Sequence, residues 1–359
     1  MEKINGKHLM FIIWGLIIVS IKTNINVFIR DGGRDSWITI TIASFITLFF
    51  LLYCVKTSLL QQDLNLVKIY RKSVGNFFGN IFLFFFVLTL LLTLIEAASV
   101  EANSMHTNML IETPVWYFSI FFIIPAIYTV KKGLTPVIFV AIIGIILAML
   151  AGINLVILTS KYKNYSYLLP IMKDGVTPGL IRSLIKALGF YGNIIILLPF
   201  FSFVKEKKSI KKYCLVAVLI VIQMHIVSVV GAIASYGAER VVNISYPKLN
   251  QTQEINYFGF LESGELFVMF QIIGGWFVKY VITFFALLKI IKEMNINNKY
   301  LVYVISLIVF ILTYYPATNI FFLNKFLNFY AYICLLNYMI IPFIIFTIFK
   351  FRNKENTSA

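Results

Sequence analysis

Three ionisable residues sit where hydrocarbon would penalise them most: Lys22, Glu96 and Lys279 each lie well inside an apolar run. Lys22 is about two turns from either plausible outer boundary of its run. Lys279 precedes Lys289 by ten residues, about 15 Å at helical rise. A charge at such depth is expensive and marks a functional site whose partner must be named. Glu96 lies near the depth of Lys22 and is its candidate partner. Lys22 would then supply a fixed positive charge near the polar interruption of the first helix. Lys279 is expected to aim into a polar cavity or at a backbone carbonyl. This inventory suits binding a polar solute rather than bond chemistry. His225 is the only histidine midway along an apolar run, with His8 and His106 at edges. A lone histidine there reads as a packed, hydrogen-bonded residue. No nucleophile constellation, phosphate loop or metal cluster accompanies it, so neither an enzyme nor a cofactor is expected. Cys54, Cys214 and Cys334 stand in apolar runs at unrelated spacings and define no disulfide framework.

Two polar interruptions join these charges. The first helix reads Ser20-Ile21-Lys22-Thr23-Asn24-Ile25-Asn26, and the sixth reads Gly189-Phe190-Tyr191-Gly192-Asn193, with Pro199 further on. Breaks in corresponding helices of two halves point to the binding site of an inverted-repeat transporter. Unwound backbone is tolerated there because it lines a cavity. The competing reading is a Gly-x-x-Gly packing face and a snorkelling lysine. On the first reading Ser20, Lys22, Thr23, Asn24, Phe190, Tyr191, Gly192 and Asn193 contact a ligand, with Glu96 and Lys279 from the third and eighth helices.

The elements that must position these residues are membrane spans. Of 359 residues, 60% are hydrophobic and 13% charged, more apolar surface than a water-soluble domain could bury. The runs recur at lengths near the roughly 20 residues that cross a bilayer. About ten helices are expected, at roughly 9–29, 37–57, 80–101, 115–130, 134–158, 185–204, 213–236, 265–291, 300–316 and 327–349. The first is too long for a cleaved signal. The fold class is all-α integral membrane, a single transmembrane domain over 1–359. It divides into five-helix halves at about 8–158 and 185–349. The segment from Gln61 to Asn76 is amphipathic enough for an interfacial helix. Long loops run over about 160–185 and 237–263.

The net charge of +16 does not indicate nucleic acid, because the basic residues gather between apolar runs. Lys3, Lys7, Lys56, Lys68, Arg71, Lys72, Lys131, Lys132, the Lys205–Lys212 cluster, Lys289, Lys292, Lys299, Lys350, Arg352 and Lys354 fall on one face. That asymmetry places both termini in the cytoplasm.

An Asp-x-Trp-Ile run stands at Asp35-Ser36-Trp37-Ile38, after the first helix. Thr113-Pro114, Leu169-Pro170 with Gly175 and Pro178, Pro199-Phe200, Tyr246-Pro247, Glu262-Ser263 and Trp276 follow in order. With these motifs the chain resembles the endospore germination permeases, the B subunits of GerA-type nutrient-germinant receptors, which carry an Asp-x-Trp-Ile signature. The resemblance spans about residues 8 to 350. It implies the amino acid/polyamine/organocation transporter architecture, ten core helices in two inverted halves like LeuT. It also implies a small nutrient ligand such as an amino acid, A and C partner subunits, and residence in the spore inner membrane. Two departures fall on the implied ligand site. Relatives carry glycine and Leu-Pro in the first helix where this chain has Ser20, Lys22 and Ile25, and often Glu after the sixth-helix glycine where Asn193 follows Gly192. The expected function is a germinant-binding receptor subunit, the alternative a secondary amino acid or polyamine transporter.

Overall fold

A computed structural model describes residues 3–60, 63–253, 255 and 265–358, without the side chains of 265, 266 and 353–358. The Glu262-Ser263 pair lies outside these residues. In lipid every backbone polar group needs a partner within its own segment, so long apolar runs become helices. The first span is α1 (Gly6–Thr23) and α2 (Ile25–Gly32), interrupted at Asn24, whose φ of −100° and ψ of 37° leave the helical region. A 3₁₀ turn, Gly33–Asp35, leads into α3 (Ser36–Leu60). The 43-residue α4 (Leu66–Asn108) contains Gly75 at φ +83°, a conformation glycine adopts without a Cβ penalty. The turns before Gly75 occupy part of the segment read as an interfacial helix, and they run on into the span.

Next come α5 (Val115–Lys131), α6 (Leu134–Leu158) and α7 (Pro178–Tyr191). The last continues as a 12-residue 3₁₀ stretch, Gly192–Phe203, far longer than usual for that geometry. Then follow α8 (Ser209–Tyr236) and two short helices in the long loop, α9 (Ala238–Val242) and α10 (Pro247–Gln253). A short α11 (Glu265–Met269) passes through a π turn, Phe270–Gly274, into α12 (Gly275–Glu293). After α13 (Leu301–Thr318), only Asn319 precedes α14 (Ile320–Cys334). A second π turn, Leu335–Ile340, joins it to α15 (Ile341–Ser358). Among the described residues nine helical stretches are long and apolar enough to cross a membrane, and α5 is a shorter apolar helix of 17 residues. The tenth helix, expected from about residue 327, starts earlier because the Asn319 side chain accepts from the N–H groups of Phe321 and Phe322 and caps it.

Contacts between loops define two ends. At one, Ile4 pairs with Val204 across a parallel bridge and Arg352 donates to the Lys72 carbonyl. At the other, Arg34 donates to the Leu169 carbonyl at 2.9 Å and Asp35 accepts from the Met172 N–H at 3.1 Å. The Asp-x-Trp-Ile signature thus clips the 160–177 loop to the end of the first span. Here too Asp31 of α2 forms an ion pair with Lys186 of α7. Inside, α1 packs on α8 and α12, while α4 packs on α12, α13 and α15. Phe49, Phe84, Leu307 and Phe329 point outward, as side chains facing lipid do.

Candidate functional site

Ser20 and Lys22 are two residues apart, so at about 100° per residue they point to nearly opposite sides of α1. Ser20 faces inward and is fully buried. Its Oγ accepts from Lys279 Nζ of α12 at 2.6 Å, and the same ammonium forms an ion pair with Glu96 of α4. Lys279 also lies 5.2 Å from the Trp276 ring centre and 5.8 Å from that of Tyr330, a favourable cation–π placement. Tyr330 on α14 donates to Asn193 Oδ1, 2.9 Å away, and lies 3.1 Å from Thr93 Oγ1, which is itself 3.1 Å from the Tyr338 hydroxyl. One buried polar network therefore ties α1, α4, α12, α14 and the 3₁₀ stretch together.

The expected Lys22–Glu96 pair does not form: Glu96 is paired with Lys279. Helical phase decides this, since the face of α1 that meets α4 and α12 carries Ser20. Lys22 instead donates to Gln271 Oε1 of the π turn at 3.3 Å. The ammonium beside Ser20 is that of Lys279, not of Lys22. Lys22 and Thr23 line a separate cavity with Tyr246 and Lys248.

The second interruption is built differently from the first. Phe190 sits edge-on between Phe28, at 5.3 Å, and Tyr330, at 5.6 Å between ring centres. The Tyr191 hydroxyl meets His225 Nδ1 at 2.7 Å, and His225 Nε2 lies 3.4 Å from the Ile18 carbonyl. A carbonyl cannot donate, so Nε2 carries the proton and Nδ1 accepts from Tyr191. His225 is thus a packed, hydrogen-bonded residue linking α7, α8 and α1. Asn193 Nδ2 donates to the Phe190 carbonyl at 2.9 Å, satisfying an acceptor where α-helical pairing changes to 3₁₀. At Gly192 a Cβ would lie 3.1 Å from Tyr338 Cβ, 3.2 Å from Met339 Cγ and 3.3 Å from the Cys334 carbonyl. The glycine permits close contact with the π turn of the tenth helix.

The structure thus unites Ser20, Glu96, Asn193 and Lys279 in one network, with Asn24 at the break one turn from Ser20, its N–H on the Ser20 carbonyl. Asn24 Nδ2 and Glu96 Oε1 are buried without a hydrogen-bond partner among the described residues. Such groups are costly in a low-dielectric interior, and they give the network spare capacity for a polar solute. Thr93, Tyr330 and Tyr338 belong to it although nothing in the sequence singles them out. Their spacing follows ordinary helix periods, and hydroxyls on apolar helices carry no depth signal as strong as a charge. The two π turns were equally silent in sequence, yet such turns are frequent at functional sites.

Residues 3–322 match the sequence profile of a family described as "Spore germination protein". The chain is 24% identical over 344 residues to spore germination protein A2 of Bacillus subtilis (strain 168), covering 91% of this chain and 90% of that protein. Spore germination protein KB of the same organism is 23% identical over 343 residues, covering 91% and 90%. Spore germination protein XB of Bacillus anthracis is 22% identical over 270 residues, covering 74% and 75%. Among solved structures, MhsT in complex with L-phenylalanine superposes with a TM-score of 0.66 at 12% identity, over 97% of this chain and 90% of that one. A manganese transporter of Eremococcus coleocola gives 0.65 at 12% identity, over 94% and 77%. At these identities the structural likenesses establish the fold, which is that of LeuT-type transporters.

Proposed function

This chain belongs to the spore germination protein family, and we propose that it is the germinant-binding membrane subunit of a nutrient receptor, taking an amino acid between its two interrupted spans. The observation that carries this reading is the buried Ser20–Lys279–Glu96 network at the first break, with Asn24 Nδ2 and Glu96 Oε1 left unpartnered beside it. A zwitterion matches both charges. Its ammonium would take Glu96, and its carboxylate would take Lys279 and the Asn24 amide. The internal ion pair then holds the ligand-free state, and the ligand replaces each half with an equivalent charge. Such a ligand shifts a population only through its different affinity for the two states, and exchanging one ion pair for two supplies such a difference. The MhsT complex with L-phenylalanine, on the same fold, supports an amino acid as the solute class. A and C subunits would read out the change, with the chain in the spore inner membrane, both termini cytoplasmic, and the spans divided five and five.

The test uses the full-length chain and spores carrying it. Radiolabelled amino acids should bind the purified protein, and Ser20→Ala and Asn24→Ala should each weaken binding and the germination response about tenfold or more at unchanged protein level. Normal dose responses in both variants would remove the site from this place. Uptake of the bound amino acid into proteoliposomes by the chain alone would favour the transporter reading over the receptor.

A further inference from the structure

A cavity of about 400 Å³ lies apart from this network, between the ends of α6 and α8 on the side of the 160–177 loop. Its rim is apolar and exposed: Ile153, Val156 and Ile157 of α6 and Val227 of α8 are 59%, 45%, 61% and 39% accessible. Its inner wall is cationic. Lys22 comes from α1, Lys163 from the loop after α6, and Lys248 from α10, and no acidic residue is among the described residues that line it. The lysine heads converge over glycines. Lys248 Nζ and Lys163 Nζ stand 3.5 and 3.9 Å from the point a Cβ on Gly231 would occupy, and Lys22 Nζ stands 3.5 Å from the corresponding point at Gly152. Among the described residues Lys22 and Lys248 meet neutral acceptors, Gln271 Oε1 for Lys22 and Gln251 Oε1 for Lys248. Gln271 Nε2 and Ser228 Oγ, both at the cavity, have no hydrogen-bond partner among the described residues. Burial first, then the neighbouring Lys22 and Lys163 ammonium groups, hold Lys248 well below the ordinary lysine range. A smaller cavity of about 40 Å³ shares Lys22, Lys248 and Gln271 and continues along α1 to Trp14 between apolar walls.

Three clustered lysine heads repel one another when charged, and a single anion among them would add an attraction to each that offsets the repulsion. A phosphate oxygen set suits them, since each ammonium offers three donors and Ser228 and Gln271 add neutral ones. The same chemistry could come from free phosphate or from a lipid head. The rim favours the lipid head, because its exposed apolar side chains suit hydrocarbon, and beyond the lysines the inner slot is lined largely by apolar residues. We propose that this crevice is a binding site for an anionic phospholipid, its phosphate held by Lys22, Lys163 and Lys248 and an acyl chain lying between α6 and α8.

The test is native mass spectrometry of the full-length chain in detergent with equimolar phosphatidylglycerol and phosphatidylcholine of identical acyl chains. The unaltered protein should retain phosphatidylglycerol preferentially. A Lys163→Gln/Lys248→Gln variant should lose about thirtyfold in that preference, near fivefold per lysine at a membrane surface. A Lys207→Gln/Lys208→Gln variant, with equal charge loss at the opposite end, should keep it. Gly231→Val, which keeps every charge and places its side chain among the lysine heads, should also lose it. Equal retention of both lipids, equal loss in the Lys207/Lys208 variant, or displacement of phosphatidylglycerol by millimolar inorganic phosphate would each overturn the proposal. Because neither Lys163 nor Lys248 touches the Ser20–Lys279–Glu96 network, amino-acid binding by the same variants reports separately on the proposed function.

Discussion

Lys279 is the residue on which the interior turns. Its ammonium is fully buried and is shared by Ser20 and Glu96. Breaking a buried pair from one side leaves an uncompensated charge, at a cost of about 3–5 kcal/mol. Lys279→Met and Glu96→Gln should therefore each lower the thermal midpoint sharply, and the double variant should recover much of the loss. Additive effects in that cycle would dissolve the pair. Lys22→Met combined with Glu96→Gln should be additive, since the two side chains occupy opposite sides of α1. Lys248 makes a different prediction. The groups facing it are Lys22 from α1, Lys163 from the loop and the Gln251 amide of its own helix. Its folded-state value is depressed, so between that value and 10.5 the unfolded chain holds more protons. Stability should rise with pH through that window, and Lys248→Gln should flatten the rise when thermal midpoints are compared in detergent.

Among the elements, the sixth span shows a glycine whose packing role the structure makes explicit. Gly192 faces the π turn of the tenth helix so closely that a Cβ there would come within 3.1–3.3 Å of Tyr338, Met339 and the Cys334 carbonyl. Gly192→Leu should thus act through packing, costing about 1–3 kcal/mol, and should lower the yield of folded protein as well as the response. Size-exclusion profiles and melting curves check this. An unchanged melt with a lost response would return Gly192 to direct ligand contact. Gly189 acts alike, because a Cβ there would overlap the Ala331 carbonyl of α14. Both glycines let α7 and its 3₁₀ extension lie flush against the tenth helix, which brings Tyr330 to Asn193.

At the scale of the whole molecule, the two ends defined by loop contacts carry unequal charge, with the Lys205–Lys212 cluster at the end that holds the Ile4–Val204 bridge. Single cysteines at Lys208 and Asn250 should then differ in labelling by an impermeant thiol reagent, Asn250 reacting from outside. Cys54, Cys214 and Cys334 are buried thiols and should add little background. Equal labelling of both positions would sink the cytoplasmic placement of the termini.

Composition and run length by themselves determined that the chain is a helical membrane protein, because hydrocarbon admits few other solutions for a backbone. Residue order determined the family likeness, and the polar stretches at Ser20–Asn26 and Gly189–Asn193 marked where helical geometry fails, at Asn24 and Gly192. Only the tertiary structure decided which charges meet. Depth along a span can be counted from sequence, and it singles out Lys22, Glu96 and Lys279. Azimuth relative to neighbouring helices cannot be counted that way, since it depends on how each helix is rotated in the bundle. Hence equal depth alone pairs Glu96 with Lys22, whereas the rotation of α1 turns Ser20 inward and leaves the interior to Lys279. The same rotation sends Lys22 to join Lys163 and Lys248, residues up to 226 positions away in the chain, in a crevice that no local pattern announces.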